Sequence, residues 1–406
     1  MAWNIGANDV ANAMGTSVGS KALTLQHAVL LAAILEFSGA FFFGSHVSDT
    51  IQNGIVDPFV FNDEPIFFVY GMLSALIAAG VWLHIASYYG WPVSTTHSII
   101  GSLIGFGAIF GGVHAIQWEN VSYIVASWLV SPLLGGIIAY FLFTLLNKGI
   151  FQAANPLESA KQLTPFLVFL VFSILSLIML FKGLQNVNLS FSFETAFGIS
   201  LFVGSGAALI SYYLVQQIKH PIHAEVAQGY MMRLGNNESV EKIFGYLQII
   251  TACLMAFAHG ANDVANAIGP LAAAISVVTT HSMAGTASVP VWALALGGFG
   301  IVIGLATWGW RVIETIGRKI TELTPSRGFA AEFGAATTVV LASRLGLPIS
   351  TTHTLVGAVI GVGLARGIGA LDLTMTRDIV ISWMVTVPAG AILSVSIFYV
   401  LRAVFG

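Results

Sequence analysis

The sequence predicts an all-α polytopic membrane protein of about twelve transmembrane helices, built as an inverted-topology repeat with broken or re-entrant helices. Three observations carry this. Of 406 residues, 56% are hydrophobic and only 8% charged, against about a quarter charged in soluble domains. Two polar strings each occur twice, in the same order. Basic residues fall in opposite loops of the two halves.

Mean hydropathy is +0.86. Apolar runs near the length of a bilayer crossing, about 20 residues, recur at Leu25–Phe43, Ile66–Ser87, Val93–Phe110, Val121–Leu146, Pro165–Phe181 and Phe193–Val215. They continue at Phe244–Ala258, Val289–Trp308, Phe329–Leu345, Ile349–Ala365 and Ile379–Leu401. The opening segment completes the set as a broken crossing. Gln216–Lys242 is the most polar stretch and reads as an aqueous loop or short surface helix. The lipid bilayer is therefore the first partner, with multi-pass insertion in the cell membrane expected. A net charge of −3 argues against a nucleic-acid partner. The single cysteine, Cys253, excludes a disulfide within the chain. No basic segment precedes an apolar one at the start, so no cleavable signal peptide is expected.

"GANDVANAMG" at residues 6–15 returns as "GANDVANAIG" at 260–269, an offset of 254 (260 − 6). "GWPVSTTHSIIGSLIGFG" at 90–107 returns as "GLPISTTHTLVGAVIGVG" at 346–363, an offset of 256 (346 − 90). Matching offsets for two strings mean a duplicated half, not a duplicated motif. Residues 1–146 form the first repeat, 147–243 the intervening helices and cytoplasmic loop, and 244–406 the second repeat.

Charge sets the relative orientation. Loop 45–65 holds Asp49, Asp57, Asp63 and Glu64 and no Lys or Arg, whereas its mate at 309–328 holds Arg311, Arg318, Lys319 and Arg327. Loop 111–120 has no Lys or Arg, but its mate has Arg366 and Arg377. Cytoplasmic loops collect Lys and Arg, so equivalent loops lie on opposite sides. Lys21, Lys148, Lys161, Lys219, Arg233 and Lys242 agree with this assignment, and Lys182 is the misfit. The first signature is preceded only by "MAWNI", so the first half lacks most of one helix. A truncated start, or a first Met that is not the natural one, is expected.

In the signature strings, glycine and Pro270 are expected to loosen the helix and free carbonyls, which is tolerated only beside protein or a watery cavity. Asn8 and Asn12 share a helix face, as do Asn262 and Asn266, with Asp9 and Asp263 beside them. Carboxylate, amide and carbonyl oxygens make a shell for a hard cation. A lone acid at membrane depth costs about 2.5–3.5 kcal/mol, so it has a partner or a task. Interhelical hydrogen bonding is the alternative, and the doubling disfavours it.

In the second pair of strings, Pro92 and Pro348 suit a helix start. Ser94, Thr95, Thr96 and Ser350, Thr351, Thr352 supply hydroxyls there, and a helix N-terminus with free N–H groups cradles an anion. Gly101, Gly105, Gly107, Gly357, Gly361 and Gly363 permit close packing. His97 and His353 are expected chiefly to cap or hydrogen-bond. Glu36 and Glu332 have no acidic mates and are candidate cation or proton sites, while His259 aligns with Ile5 and breaks the symmetry. Trp91, Trp118, Trp128, Trp308, Trp310 and Trp383 read as interface anchors.

Doubled "GANDVANA" and "PxSTTH" strings in inverted halves resemble the inorganic phosphate transporter (PiT) family across nearly the whole chain. The resemblance implies cation-driven phosphate uptake by a homodimer, with a transport domain moving against a scaffold. It implies sodium at Asp9, Asn12, Asp263 and Asn266, and inorganic phosphate at Ser94, Thr95, Ser350 and Thr351. Glu36 and Glu332 match family positions important for transport. The expected function is sodium-coupled phosphate symport into the cell, with no cofactor besides the coupling sodium ions. A proton-coupled phosphate or sulfate permease is the alternative. A channel and an enzyme are disfavoured; there is no HExxH, and the STTH histidines lie in separate halves.

Overall fold

The computed structural model describes residues 1–91, 93–180, 191–218, 230–280, 289–310, 312–313, 323–367 and 373–406. Pro92, Lys182, Lys219, Arg311, Arg318 and Lys319, used in the sequence reading, lie outside the described residues.

The helices are α1 (Ala2–Gly19), α2 (Leu25–Phe43), α3 (Ser45–Asn53), α4 (Pro65–Tyr89), α5 (Thr95–Phe106), α6 (Trp118–Leu146) and α7 (Pro156–Leu180). They continue as α8 (Phe193–Gln216), α9 (Tyr230–Thr280), α10 (Val291–Thr307), α11 (Pro325–Arg344), α12 (Thr351–Arg366) and α13 (Leu373–Phe405). Among the described residues there is no strand, only an isolated bridge between Val56 and Ile116. Among the described residues, seven helical stretches are long and apolar enough to cross a membrane: Leu25–Phe43, Pro65–Tyr89, Trp118–Phe151, Pro156–Leu177, Phe193–Gln216, Asn237–Thr280 and Ile381–Phe405. Their exposed faces carry Leu, Ile, Phe and Tyr, as lipid contact requires. By contrast α1 and α11 are more polar and are wrapped by protein. The chain is thus an all-α membrane protein with a polar interior.

The breaks fall elsewhere than the glycine content of the signature strings predicts. Residues 6–15 lie within continuous α1 and residues 260–269 within continuous α9, which runs through Pro270. The expected loosening at these strings is therefore corrected. Their glycines serve close approach instead. A Cβ at Gly6 would lie 1.9 Å from the Ile301 carbonyl on α10, and one at Gly260 would lie 2.1 Å from the Glu36 carbonyl on α2. Pro270 cannot donate to the carbonyl of Asn266 four residues earlier, because proline has no N–H. The polar stretch after α8 is also shorter than expected, since α9 begins at Tyr230 and continues without a break into the second signature.

The actual breaks precede the STTH strings. After α4 the chain turns through Gly90 (φ 68°), and after α11 through Gly346 (φ 67°), a region that favours glycine. Two extended serines then start new helices. Ser94 accepts from the His97 N–H at 3.1 Å, and Ser350 from the His353 N–H at 3.2 Å.

These two helices are pressed backbone to backbone on long neighbours, crosswise between the halves. On α5, added Cβ atoms at Gly101 and Gly105 would lie 2.4 Å from Val387 O and 2.6 Å from Ala391 Cα, both on α13. On α12, those at Gly357 and Gly361 would lie 2.2 Å from Pro132 O and 2.1 Å from Gly136 O, both on α6. Such packing by small residues is the usual means of bringing helices together in lipid.

Candidate functional site

The signature helices α1 and α9 meet the N-termini of α5 and α12 in the protein interior. All fourteen residues singled out from the sequence are at most 2% exposed: Asn8, Asp9, Asn12, Glu36, Ser94, Thr95, Thr96, Asn262, Asp263, Asn266, Glu332, Ser350, Thr351 and Thr352.

Most of the contacts cross from one half to the other, and the rest join a signature to its own half. Asn12 Nδ2 donates to Thr352 Oγ1 (2.7 Å), while Asn266 Nδ2 reaches Thr95 and Thr96 Oγ1 (3.2 Å each). Thr96 Oγ1 donates to Ile349 O (2.9 Å), and its mate Thr352 Oγ1 faces Val93 O at 3.4 Å. The Asn8 amide meets the Ser87 hydroxyl at 3.0 Å, and the Asn262 amide meets Ser343 at the same distance. Asp263 Oδ2 accepts from Thr351 Oγ1 at 2.8 Å, whereas Thr352 Oγ1 stands 3.5 Å from Asp9 Oδ1. Signature residues and STTH hydroxyls, which the sequence reading assigns to separate ions, are hydrogen-bonded into one cluster.

Several oxygens in this cluster have no hydrogen-bond donor. They are Asp9 Oδ2, Asn8 Oδ1, Asn266 Oδ1 and Glu36 Oε2. Buried polar atoms are nearly always paired, so a group of orphaned oxygens calls for something that is itself electron-poor. A hard monovalent or divalent cation fits an all-oxygen set.

His259, which the sequence marks only as a break in symmetry, joins the acids. Its Nε2 lies 2.9 Å from Asp263 Oδ2 and 4.0 Å from Asp9 Oδ2, and its Nδ1 lies 3.2 Å from Glu36 Oε1. Asp9, His259 and Asp263 offer ligand atoms all within 4.8 Å of one another. Glu36 thus reaches the signature acids through the imidazole.

Glu332 sits apart, in its own cage of neutral donors. Its carboxylate accepts from Thr16 Oγ1, Ser17 Oγ (2.6 Å), Gln248 Nε2 (3.3 Å) and Thr251 Oγ1 (2.7 Å). None of these donors is shared with Asp9 or Asp263. Thr16 follows Asn12 by one helical turn on α1, so the spacing of polar residues past the signature was the signal that could have found it.

His97 and His353 take a different place from the hydroxyls beside them. Their ring centroids lie 4.3 Å apart, with Trp128 3.8 Å from His97 and Trp383 3.5 Å from His353. Trp128 is 9% exposed and donates to Pro348 O at 3.2 Å. Trp128 is therefore corrected from interface anchor to interior packing. Trp91, Trp118 and Trp310 are near half exposed.

Comparison with known proteins bears on this geometry. Residues 5–394 match the phosphate transporter family. The chain is 49% identical to the inorganic phosphate transporter 2-1, chloroplastic, of Arabidopsis thaliana, over 97% of this chain and 69% of that protein. A solved structure titled as the sodium-dependent phosphate transporter superposes with a TM-score of 0.90 at 43% identity, covering 100% of this chain and 97% of its own. As the doubled strings led one to expect, the chain belongs to the phosphate transporter family, whose members named here are transporters and not enzymes.

Proposed function

We propose that the chain is a sodium-coupled symporter that carries inorganic phosphate into the cell. The supporting observation is the set of orphaned buried oxygens on α1, α2 and α9 beside two serine-capped helix starts. Phosphate at those helix N-termini would meet N–H groups and hydroxyls but no Lys or Arg among the site residues. The charge that offsets its desolvation then has to arrive with it. Asp9, Asn8, Asn12, Asp263, Asn262, Asn266 and Glu36 would take sodium, and Ser94, Thr95, Thr96, Ser350, Thr351 and Thr352 would take phosphate. The similar solved structure, titled sodium-dependent, supports sodium as the coupling ion.

Mechanistically, two carboxylate half-sites accommodate two sodium ions. With one monovalent phosphate they move a net charge of +1 inward, which a membrane potential drives by about 2.3 kcal/mol per 100 mV. The halves are read as inverted crossings in the cell membrane, so that one set of contacts opens outward and its mirror inward. A homodimer is the expected assembly, with the α7–α8 hairpin between the two repeats.

The test is radiolabelled phosphate uptake into proteoliposomes under separate sodium and proton gradients. A sodium gradient alone should drive accumulation, and phosphate affinity should rise with sodium at fixed pH, because binding free energies are reciprocal. Affinity that stays flat from zero to saturating sodium rejects the shared site. Accumulation driven by a proton gradient alone establishes the proton-coupled reading, which the Glu36–His259 contact favours.

Glu332 is read as a separate cation station. Glu332→Gln removes its charge but keeps one oxygen that can accept from Thr16 and Ser17, with an NH2 group in place of the oxygen that accepts from Thr251. The sodium concentration for half-maximal uptake should rise about tenfold, the effect of one charged hydrogen-bonding group. Phosphate affinity at saturating sodium should change little. An unchanged sodium curve would return Glu332 to a purely structural role.

A further inference from the structure

We propose that His259 makes the two mirror-related carboxylate half-sites unequal: it stands where a cation would stand at Asp263, so that Asp9 takes the first cation and Asp263 the second. The proposal rests on the sodium-coupled reading above.

The duplication gives Asp9 and Asp263 matching surroundings. Each has an Asn one residue before and three after, and each is faced by a Thr of an STTH string. The difference lies in two places. His259 corresponds to Ile5 by the signature offset (259 − 254 = 5). Glu36, whose carbonyl abuts Gly260, corresponds to Ile301, whose carbonyl abuts Gly6. A His–Glu pair, one residue from each half, therefore stands where the mirror place carries two fully buried isoleucines.

The consequences are visible at the carboxylates. Asp263 Oδ2 is occupied twice, by the Thr351 hydroxyl at 2.8 Å and the His259 ring at 2.9 Å. Asp9 Oδ2 has the same ring only at 4.0 Å and no hydrogen bond. The Asn266 and Asn8 amide oxygens are likewise without donors. A cation arriving at Asp9 finds oxygens free to coordinate it, whereas one arriving at Asp263 has first to displace the imidazole. The ring is tethered to Glu36 at 3.2 Å, which gives it a place to remain when it leaves Asp263. His259 is thus a positioning residue that orders the two cation-binding steps.

The test is equilibrium binding of radioactive sodium to the purified full-length chain, with phosphate uptake measured alongside. The wild type should show two classes of sodium site, separated by about tenfold or more, the effect of one group hydrogen-bonded to a charge. Asp9→Asn should abolish the tight class and Asp263→Asn the weak one. His259→Ala should tighten the weak class by about tenfold and bring the two together, with His259→Gln giving a smaller shift. A ring that merely supports the fold would weaken both classes when removed, and that result overturns the proposal. So do two equal classes in the wild type, or loss of the tight class in Asp263→Asn. If His259→Ala fails to fold, the comparison of the two Asp variants decides. A wild type that binds no sodium removes the sodium-coupled reading and this ordering together, whereas equal classes with intact sodium-driven uptake remove the ordering alone.

Discussion

Sodium-driven phosphate uptake should fall by about a hundredfold or more when either Asp9 or Asp263 is replaced by Asn, while the protein remains folded. The two acids are fully enclosed, and no Lys or Arg stands beside them among the described residues. The basic group beside them is the His259 ring, 2.9 Å from Asp263 Oδ2 and 4.0 Å from Asp9 Oδ2, so neither acid is held by a permanently charged partner. An Asn keeps the shape and an oxygen able to accept from Thr351 or Thr352, so the local hydrogen bonds survive. Replacing the acid by Asn also removes the desolvation cost of a buried charge, which limits what the substitution costs the fold. Transport loses the charge that would hold the cation, and with it the cation that would accompany phosphate. Uptake in proteoliposomes and thermal unfolding of the detergent-purified protein, measured on the same samples, separate the two effects. Near-normal uptake by either variant would make that acid a structural hydrogen-bond acceptor, and an equal loss of stability and uptake would do the same.

The parts of this site that repeat were legible in the sequence, and the parts that arise from three-dimensional contact between repeats were not. Doubling marked Asp9, Asp263 and the STTH hydroxyls, because a polar residue kept twice in oily surroundings needs a reason. It could not show that Asn266 of one half would bond Thr95 and Thr96 of the other, since spacing along the chain does not report which segments cross. Glycine was ambiguous for a physical reason. The residue that loosens a helix is also the one that lets two backbones touch, and in the signature strings the second use prevails: Gly6 and Gly260 lie under neighbouring carbonyls in unbroken helices. His259 stood out only as a residue aligned with Ile5, and Glu36 only as an acid without an acidic mate. Only the packing of α2 on α9 and of α10 on α1 reveals that the two mismatches occupy one place. Trp128 was read as an anchor from its position near the start of an apolar run, yet its ring turns inward to cover His97.

The second large effect concerns the helices that carry the hydroxyls. Gly361→Val should prevent accumulation of folded protein, and Gly357→Val should do the same. At both positions the added Cβ would lie within 2.2 Å of a backbone carbonyl on α6, closer than any side-chain rearrangement can relieve. Overpacking a well-packed interior costs about 1–3 kcal/mol and more where backbone has to move, a large share of the roughly 5–15 kcal/mol that separates folded from unfolded domains. The mirror positions Gly101 and Gly105 make the same contact with α13 and should respond alike. Gly206, inside α8 with nothing within 4 Å of an added Cβ, is the internal control. There Ala should be neutral or stabilise by about 0.5–1 kcal/mol, since glycine is the poorer helix residue. Yield of monodisperse protein and its melting temperature report both outcomes. If valine at Gly357 and Gly361 were tolerated with normal melting, α12 would be free to move away from α6, and the STTH hydroxyls would not be held on a rigid support. If it is not tolerated, α6 with α12 and α13 with α5 are two fixed pairs. Any alternation of access then has to take place where these pairs meet α1 and α9, at the contacts from Asn12 to Thr352 and from Asn266 to Thr95.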